Sequence, residues 1–196
     1  PAWSVMPAPA IHLELPEWMR DFPTPATLVT VEDRMRLVIN LANANIDHGT
    51  GGPFGAAIFE QATGRLIATG VNLVTSAGCS VLHAEMVAII EAQRVLGRYD
   101  LGAVGMPACQ LVTSTEPCAM CLGAIPWSGV RSVVCGAHEV DARAIGMDEG
   151  DKPADWVGGL AGRGISVTRD VLRDEAAAVL KRYRDEGGKI YNSGGR

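Results

Sequence analysis

Apolar residues recur at helical spacing over residues 31–46, at Met35, Val38, Ile39, Ala42 and Ile46, which predicts an amphipathic helix. Thr30 stands before it as an N-cap, with Asp33 three positions on as a weak capping box. The run Asp47-His48-Gly49-Thr50-Gly51-Gly52-Pro53 ends the helix in a glycine-rich loop. Residues 54–60 and 65–75 then read as strands joined at Ala62-Thr63-Gly64, which predicts a hairpin. A second helix is predicted over 82–96, with Met86, Ala88, Ile89, Ile90 and Val95 as its apolar face. Residues 109–114 and 131–136 are short β-branched apolar runs and predict buried strands, with a helix over 118–127 between them. Pro117 sits at or beside the first position of that helix, where a missing N–H does no harm. A last strand is expected at 164–168. A last helix is expected at 170–186, with Lys181, Arg182 and Arg184 near its C-terminus as the dipole prefers.

A helix, a hairpin and then alternating helix and strand predict a mixed α/β layer structure. Three stretches fall outside the pattern. Residues 1–27 carry Pro1, Pro7, Pro9, Pro16, Pro23 and Pro25 and read as an irregular arm, with a short turn around 17–21. Residues 139–162 read as a long, acidic, glycine-containing loop with one helical turn, a length associated with function or mobility. Residues 189–196 form a tail. The expected organisation is therefore an arm at 1–27, one catalytic domain at 28–188 and a tail at 189–196.

The chain has 196 residues, and 47% of them are hydrophobic, enough for a buried core. A net charge of −5 argues against a partner that is mainly phosphate backbone, so nucleic acid is not the expected ligand. No stretch reaches the roughly 18 apolar residues of a membrane span. Residues 1–16 have no basic start and no long apolar run, so a secretory leader is not expected, and the Pro1 start fits loss of an initiator Met. Five cysteines, two of them in a C-x-x-C, fit a reducing, cytoplasmic setting.

The chemistry concentrates in two segments, His83-Ala84-Glu85 and Pro117-Cys118-Ala119-Met120-Cys121. Each lies at a predicted strand-to-helix junction, so two helix N-termini can meet over one end of a sheet. His83, Cys118 and Cys121 are three zinc ligands of suitable softness, one ion per chain, leaving a fourth coordination position open. Glu85 is close enough to His83 to serve as a proton carrier without being a ligand. Alone, a C-x-x-C also fits a redox pair or half of a structural zinc site. Cys79, Cys109 and Cys135 are available in principle as a fourth ligand, but Cys109 and Cys135 read as strand hydrophobes and Cys79 as a bystander.

Together these motifs resemble the cytidine deaminase superfamily. Gly52-Pro53-Phe54-Gly55-Ala56, Asn72, Glu116-Pro117-Cys118-Ala119-Met120-Cys121, Ala124-Ile125-Pro126-Trp127 and Gly146-Met147-Asp148-Glu149 resemble its bacterial guanine deaminase branch. The likeness covers about residues 30–192. It implies a three-layer α/β/α sandwich around a five-stranded mixed sheet, a homodimer, and zinc-dependent hydrolysis of guanine to xanthine and ammonia in purine catabolism. Residues 145–150 and Lys189-Ile190-Tyr191-Asn192 resemble a subgroup that also accepts ammeline. Met147 departs from relatives that carry an aromatic residue in that loop.

Guanine offers donors at N1 and its 2-amino group and acceptors at N7 and O6. Asn72 can donate to it, and Asp141, Asp148 or Glu149 can accept from it. Glu149 is the favoured second catalytic carboxylate. Asn72, Phe54, Ala84, Trp127, Asp141 and Tyr191 are the expected substrate contacts, and Tyr191 is expected to close the pocket of its own or a neighbouring subunit. His48 is a further residue that could reach substrate, while His12 and His138 read as surface or structural. Cytosine, cytidine, guanosine and tRNA adenosine remain alternative substrates. A non-catalytic zinc scaffold is the alternative outside enzymology, against which the intact Glu85 counts.

Overall fold

The computed structural model describes residues 13–192. Thr30 caps the first long helix as expected, its hydroxyl accepting from the Asp33 amide at 3.1 Å. That helix, α2 (Val31–Asp47), follows a short helix in the described part of the arm, α1 (Trp18–Asp21). The hairpin forms from β1 (Gly55–Glu60) and β2 (Leu66–Val71), paired antiparallel. The chain then runs through α3 (Val74–Ala77), α4 (Ala84–Leu96), β3 (Cys109–Thr115), α5 (Ala119–Ser128) and β4 (Ser132–Ala137). It ends with α6 (Glu139–Arg143), α7 (Trp156–Ala161), β5 (Ser166–Thr168) and α8 (Arg173–Asp185).

The five strands form one sheet in the order β2-β1-β3-β4-β5. The first two pairings are antiparallel and the last two parallel, so the sheet is mixed. Side-chain alternation along each strand divides the core. Ala57, Phe59, Val112 and Val134 face α2 and α8, while Ala56, Ile58, Leu111, Val133 and Cys135 face the side of α4 and α7. The result is the three-layer α/β/α arrangement. Helix α4 lies close on β2 because Gly70 has no side chain: a Cβ there would come within 2.4 Å of the Ala84 carbonyl oxygen and the Ala88 nitrogen.

Three expectations are corrected. The second predicted strand stops at Val71, and Val74–Ala77 turn into a short helix whose backbone caps on left-handed Gly78. The buried face of α4 is Val87, Ala88, Ile89 and Ala92, while Val95 is exposed. A stretch with apolar residues on most sides does not disclose its inner face by periodicity. The 139–162 loop contains two short helices, because Asp141 and Asp155 each cap one: Asp141 accepts from the His138 amide at 2.9 Å and Asp155 from the Gly158 amide at 2.9 Å. The arm is not free over its described part. Leu13, Leu15, Trp18, Met19 and Phe22 pack on the α2–α8 side of the core. Residues 1–12 and 193–196, including His12, lie outside the described residues.

Candidate active site

Parallel strands β3 and β4 release their loops at the same sheet end, and the N-termini of α4 and α5 meet there. His83 is the N-cap residue of α4 and Cys118 that of α5, so both project from a helix start. Their ligand atoms and that of Cys121 all lie within 4.8 Å of one another. Cys118 Sγ is 3.4 Å from His83 Nδ1. Ligand atoms on a tetrahedral zinc with bonds of about 2.0–2.3 Å stand roughly 3.4–3.8 Å apart, so this donor set fits that ion. The hydrogen bond from the Cys121 thiol, with His83 alongside, holds Cys118 down at about 4, overcoming burial; Cys121 itself is raised well above the ordinary thiol range. Burial works against the His83 cation, but the hydrogen bond and charge of Cys118 outweigh it and raise its pKa.

A cavity of about 340 Å³ opens over this cluster. Its wall includes Glu85, which is 6% exposed and accepts from Cys121 Sγ at 3.5 Å. Burial, reinforced by the Cys118 charge, raises the Glu85 carboxyl to about 7, so it can both take and give a proton near neutrality. Glu149 stands on the same cavity, raised to about 8 by burial and by the charges of Cys118 and Glu85. The backbone holds it close: the Ala119 amide donates to the Glu149 carbonyl at 2.9 Å.

Asn72, Phe54 and Tyr191 also line this cavity. Asn72 is fully buried. Its Oδ1 accepts from the Gly52 and Val74 amides, while Nδ2 has no partner among the described residues. Gly51 allows this packing, since a Cβ there would fall 1.8 Å from the Asn72 carbonyl oxygen. Tyr191 closes one side in its own chain, its hydroxyl against Gly52.

A model of the cytidine and deoxycytidylate deaminase zinc-binding region matches residues 29–137. The chain belongs to this family. It is thereby a zinc-dependent deaminase, a hydrolase that removes an amino group. It is 41% identical over 130 residues to the guanine deaminase of Bacillus subtilis (strain 168), spanning 63% of this chain and 79% of that protein. A solved structure of guanine deaminase from Nitrosomonas europaea superposes with a TM-score of 0.88 at 48% identity, covering 92% of this chain and 100% of that one. A solved structure in complex with 2,6-diaminopurine gives a TM-score of 0.88 at 50% identity, covering 94% and 97%.

Not every expected contact reaches the cavity. Trp127 is 86% exposed, because nine helical positions turn it about half a revolution away from Cys118. Asp141 is occupied elsewhere, capping α6 and pairing with Arg173 of α8 at 3.1 Å. Ala84 is fully buried outside the lining, against the close approach of β2. His48 stacks on Trp18 at 5.0 Å between ring centroids and does not line the cavity. Cys109 and Cys135 are buried strand residues, and Cys79 is half-buried.

Two residues at the site went unassigned from sequence. Glu116, which lines the cavity, accepts from the Glu139 amide and from Arg169, and its place before Pro117-Cys118 was an available signal. Asn192 links the tail to the acidic loop, donating to the Gly146 carbonyl and accepting from the Asp148 amide, both at 2.9 Å.

Proposed function

We propose that this chain hydrolyses guanine to xanthine and ammonia. The observation that carries the reading is one cavity holding both a proton carrier beside the metal ligands and two groups of opposite hydrogen-bonding character. Among the described residues Asn72 Nδ2 is an unpartnered donor suited to a purine acceptor, and Glu149 is a carboxyl whose oxygen suits the N1–H and 2-amino edge. The similarity to guanine deaminases at 41% and 48% identity supports the same substrate.

Zinc held by His83, Cys118 and Cys121 supplies Lewis acidity that makes water a competent nucleophile near neutral pH. Glu85 takes one proton from the water that adds at the amino-bearing carbon and passes it to the adjacent ring nitrogen; it then takes the second from the new hydroxyl as that becomes the carbonyl, and this proton goes by way of Glu149 to the amine, which leaves as ammonia. Glu149 orients the amino edge and relays a proton to the leaving nitrogen. Phe54 and Tyr191 exclude solvent from the flat base. A site built on these hydrogen bonds disfavours bases that leave them unmet.

Ammeline carries the same reacting unit, a ring carbon bearing an amino group between ring nitrogens, and we include it as a second substrate. We assign catalysis to residues 28–188, with the 189–196 tail supplying Tyr191 and the described part of the 1–27 arm packing on the α2–α8 side of the core. A homodimer is part of the reading, supported by the exposed apolar Met120 and Trp127 on α5. The cytoplasm is the proposed compartment, suited to five free thiols. Among the described residues no helix is long and apolar enough to cross a membrane. Ammonia release from guanine, ammeline, guanosine, cytosine, cytidine and adenine, with zinc content measured alongside, tests the substrate. Guanine and ammeline should lead; preferred turnover of cytosine or a nucleoside would overturn the reading.

A further inference from the structure

Asn72 depends on a chain of directed hydrogen bonds that begins in the N-terminal arm. The indole of Trp18 can only donate, and it donates to Thr50 Oγ1 at 3.1 Å. Thr50 therefore turns its own proton inward, to Asn45 Oδ1 at 2.6 Å. With its oxygen so engaged, Asn45 directs its Nδ2 to the carbonyls of Gly52 at 2.8 Å and Asn72 at 2.9 Å. The reverse setting of the amide would bring its oxygen against two carbonyl oxygens, so each donor sets the polarity of the next. Gly52, held in this way, donates its own amide to Asn72 Oδ1, and the Val74 amide, two residues beyond Asn72, donates to the same oxygen. What remains is Nδ2, buried on the cavity wall and without a partner among the described residues.

The start of the chain of contacts is firmly seated. Trp18 stacks on His48 with an interplanar angle of 5° and meets Phe22 edge-on. Asn45 is fully buried on α2, which anchors the middle.

We propose that Trp18, Thr50 and Asn45 are positioning residues that fix the Asn72 amide, making the N-terminal arm part of substrate discrimination. This rests on the reading that Asn72 Nδ2 contacts the base. Thr50→Val removes the hydroxyl at nearly constant shape, and Thr50→Ser restores it. Trp18→Phe deletes the donor but keeps a ring on His48. KM and kcat for guanine are measured with zinc content and melting midpoint in each.

The expected result is a KM rise of about threefold to tenfold in Thr50→Val with kcat little changed, a smaller rise in Trp18→Phe, and rescue in Thr50→Ser. In an Asn72→Ala background Thr50→Val should add nothing further to KM. An unchanged KM in both Thr50→Val and Trp18→Phe overturns the relay. So does an equal effect of Thr50→Val with and without Asn72. If Asn72→Ala alone leaves KM unchanged, the base contact itself is wrong and the relay falls with it, an outcome distinct from loss of the relay alone.

Discussion

Lys152 Nζ donates to the Pro117 carbonyl at 3.0 Å, which joins the loop bearing Glu149 to the turn bearing Cys118. The Lys152 side chain is 3% exposed, and its ammonium pairs with Glu139 at 2.8 Å and lies 5.4 Å from the centroid of the Trp156 ring. A buried lysine so placed ties two loops whose separation sets the distance between second carboxylate and metal ligands.

Lys152→Met is therefore expected to lower kcat by up to about 100-fold through misplacement of Glu149, with one zinc per chain retained. It should also lose about 1–3 kcal/mol of stability, since the Pro117 carbonyl is left without its donor and Glu139 keeps only Arg143 as a cationic partner. Metal analysis and steady-state kinetics check this. Wild-type kcat would detach the loop from catalysis.

Glu85→Gln keeps the size and shape of the side chain but abolishes proton transfer. The expected loss in kcat is about a hundredfold to ten-thousandfold, with zinc bound. Its melting midpoint should not fall, because the substitution removes an acid whose ionised form is disfavoured by burial. Near-full activity in this variant would exclude Glu85 as the proton carrier.

Glu149→Gln separates orientation from proton relay. Both forms can accept from the base, but only the carboxyl can move a proton. A fall in kcat for guanine with KM held within about twofold is the outcome for a relay. An unchanged kcat would reduce Glu149 to a wall residue.

The metal ligands and Glu85 were legible because their relation is local: H-x-E and C-x-x-C at helix starts converge once the sheet forms. The strands and main helices were legible for the same reason, since 2.0 and 3.6 residue periods register at short range. Trp127 was misread because proximity to Cys121 in sequence says nothing about which side of α5 faces inward. Asp141 was misread because a carboxylate in an acidic loop serves equally as cap, ion-pair partner or substrate contact. Lys152 and Asn45 carried no signal, as their partners lie 35 and 27 positions away.

Asp141 yields a prediction that tests its correction. Burial pushes its carboxyl up, but the hydrogen bond from Arg173 and that from the His138 amide outweigh it, so the folded pKa lies below the ordinary 3.8. A depressed acid contributes stability above its unfolded pKa and loses it as pH falls through the folded one. Asp141→Asn should thus be less stable by about 1 kcal/mol near pH 7, the scale of a lost cap and a partly exposed ion pair. The gap to wild type should narrow as pH drops through 3.8 and below. Urea unfolding from about pH 7 to about pH 3 measures it, and a gap independent of pH would mean the charge of Asp141 is irrelevant to the α6–α8 junction. Guanine KM in the same variant should stay within about twofold of wild type, because Asp141 stands outside the cavity. A large KM change with normal stability would return this residue to the substrate.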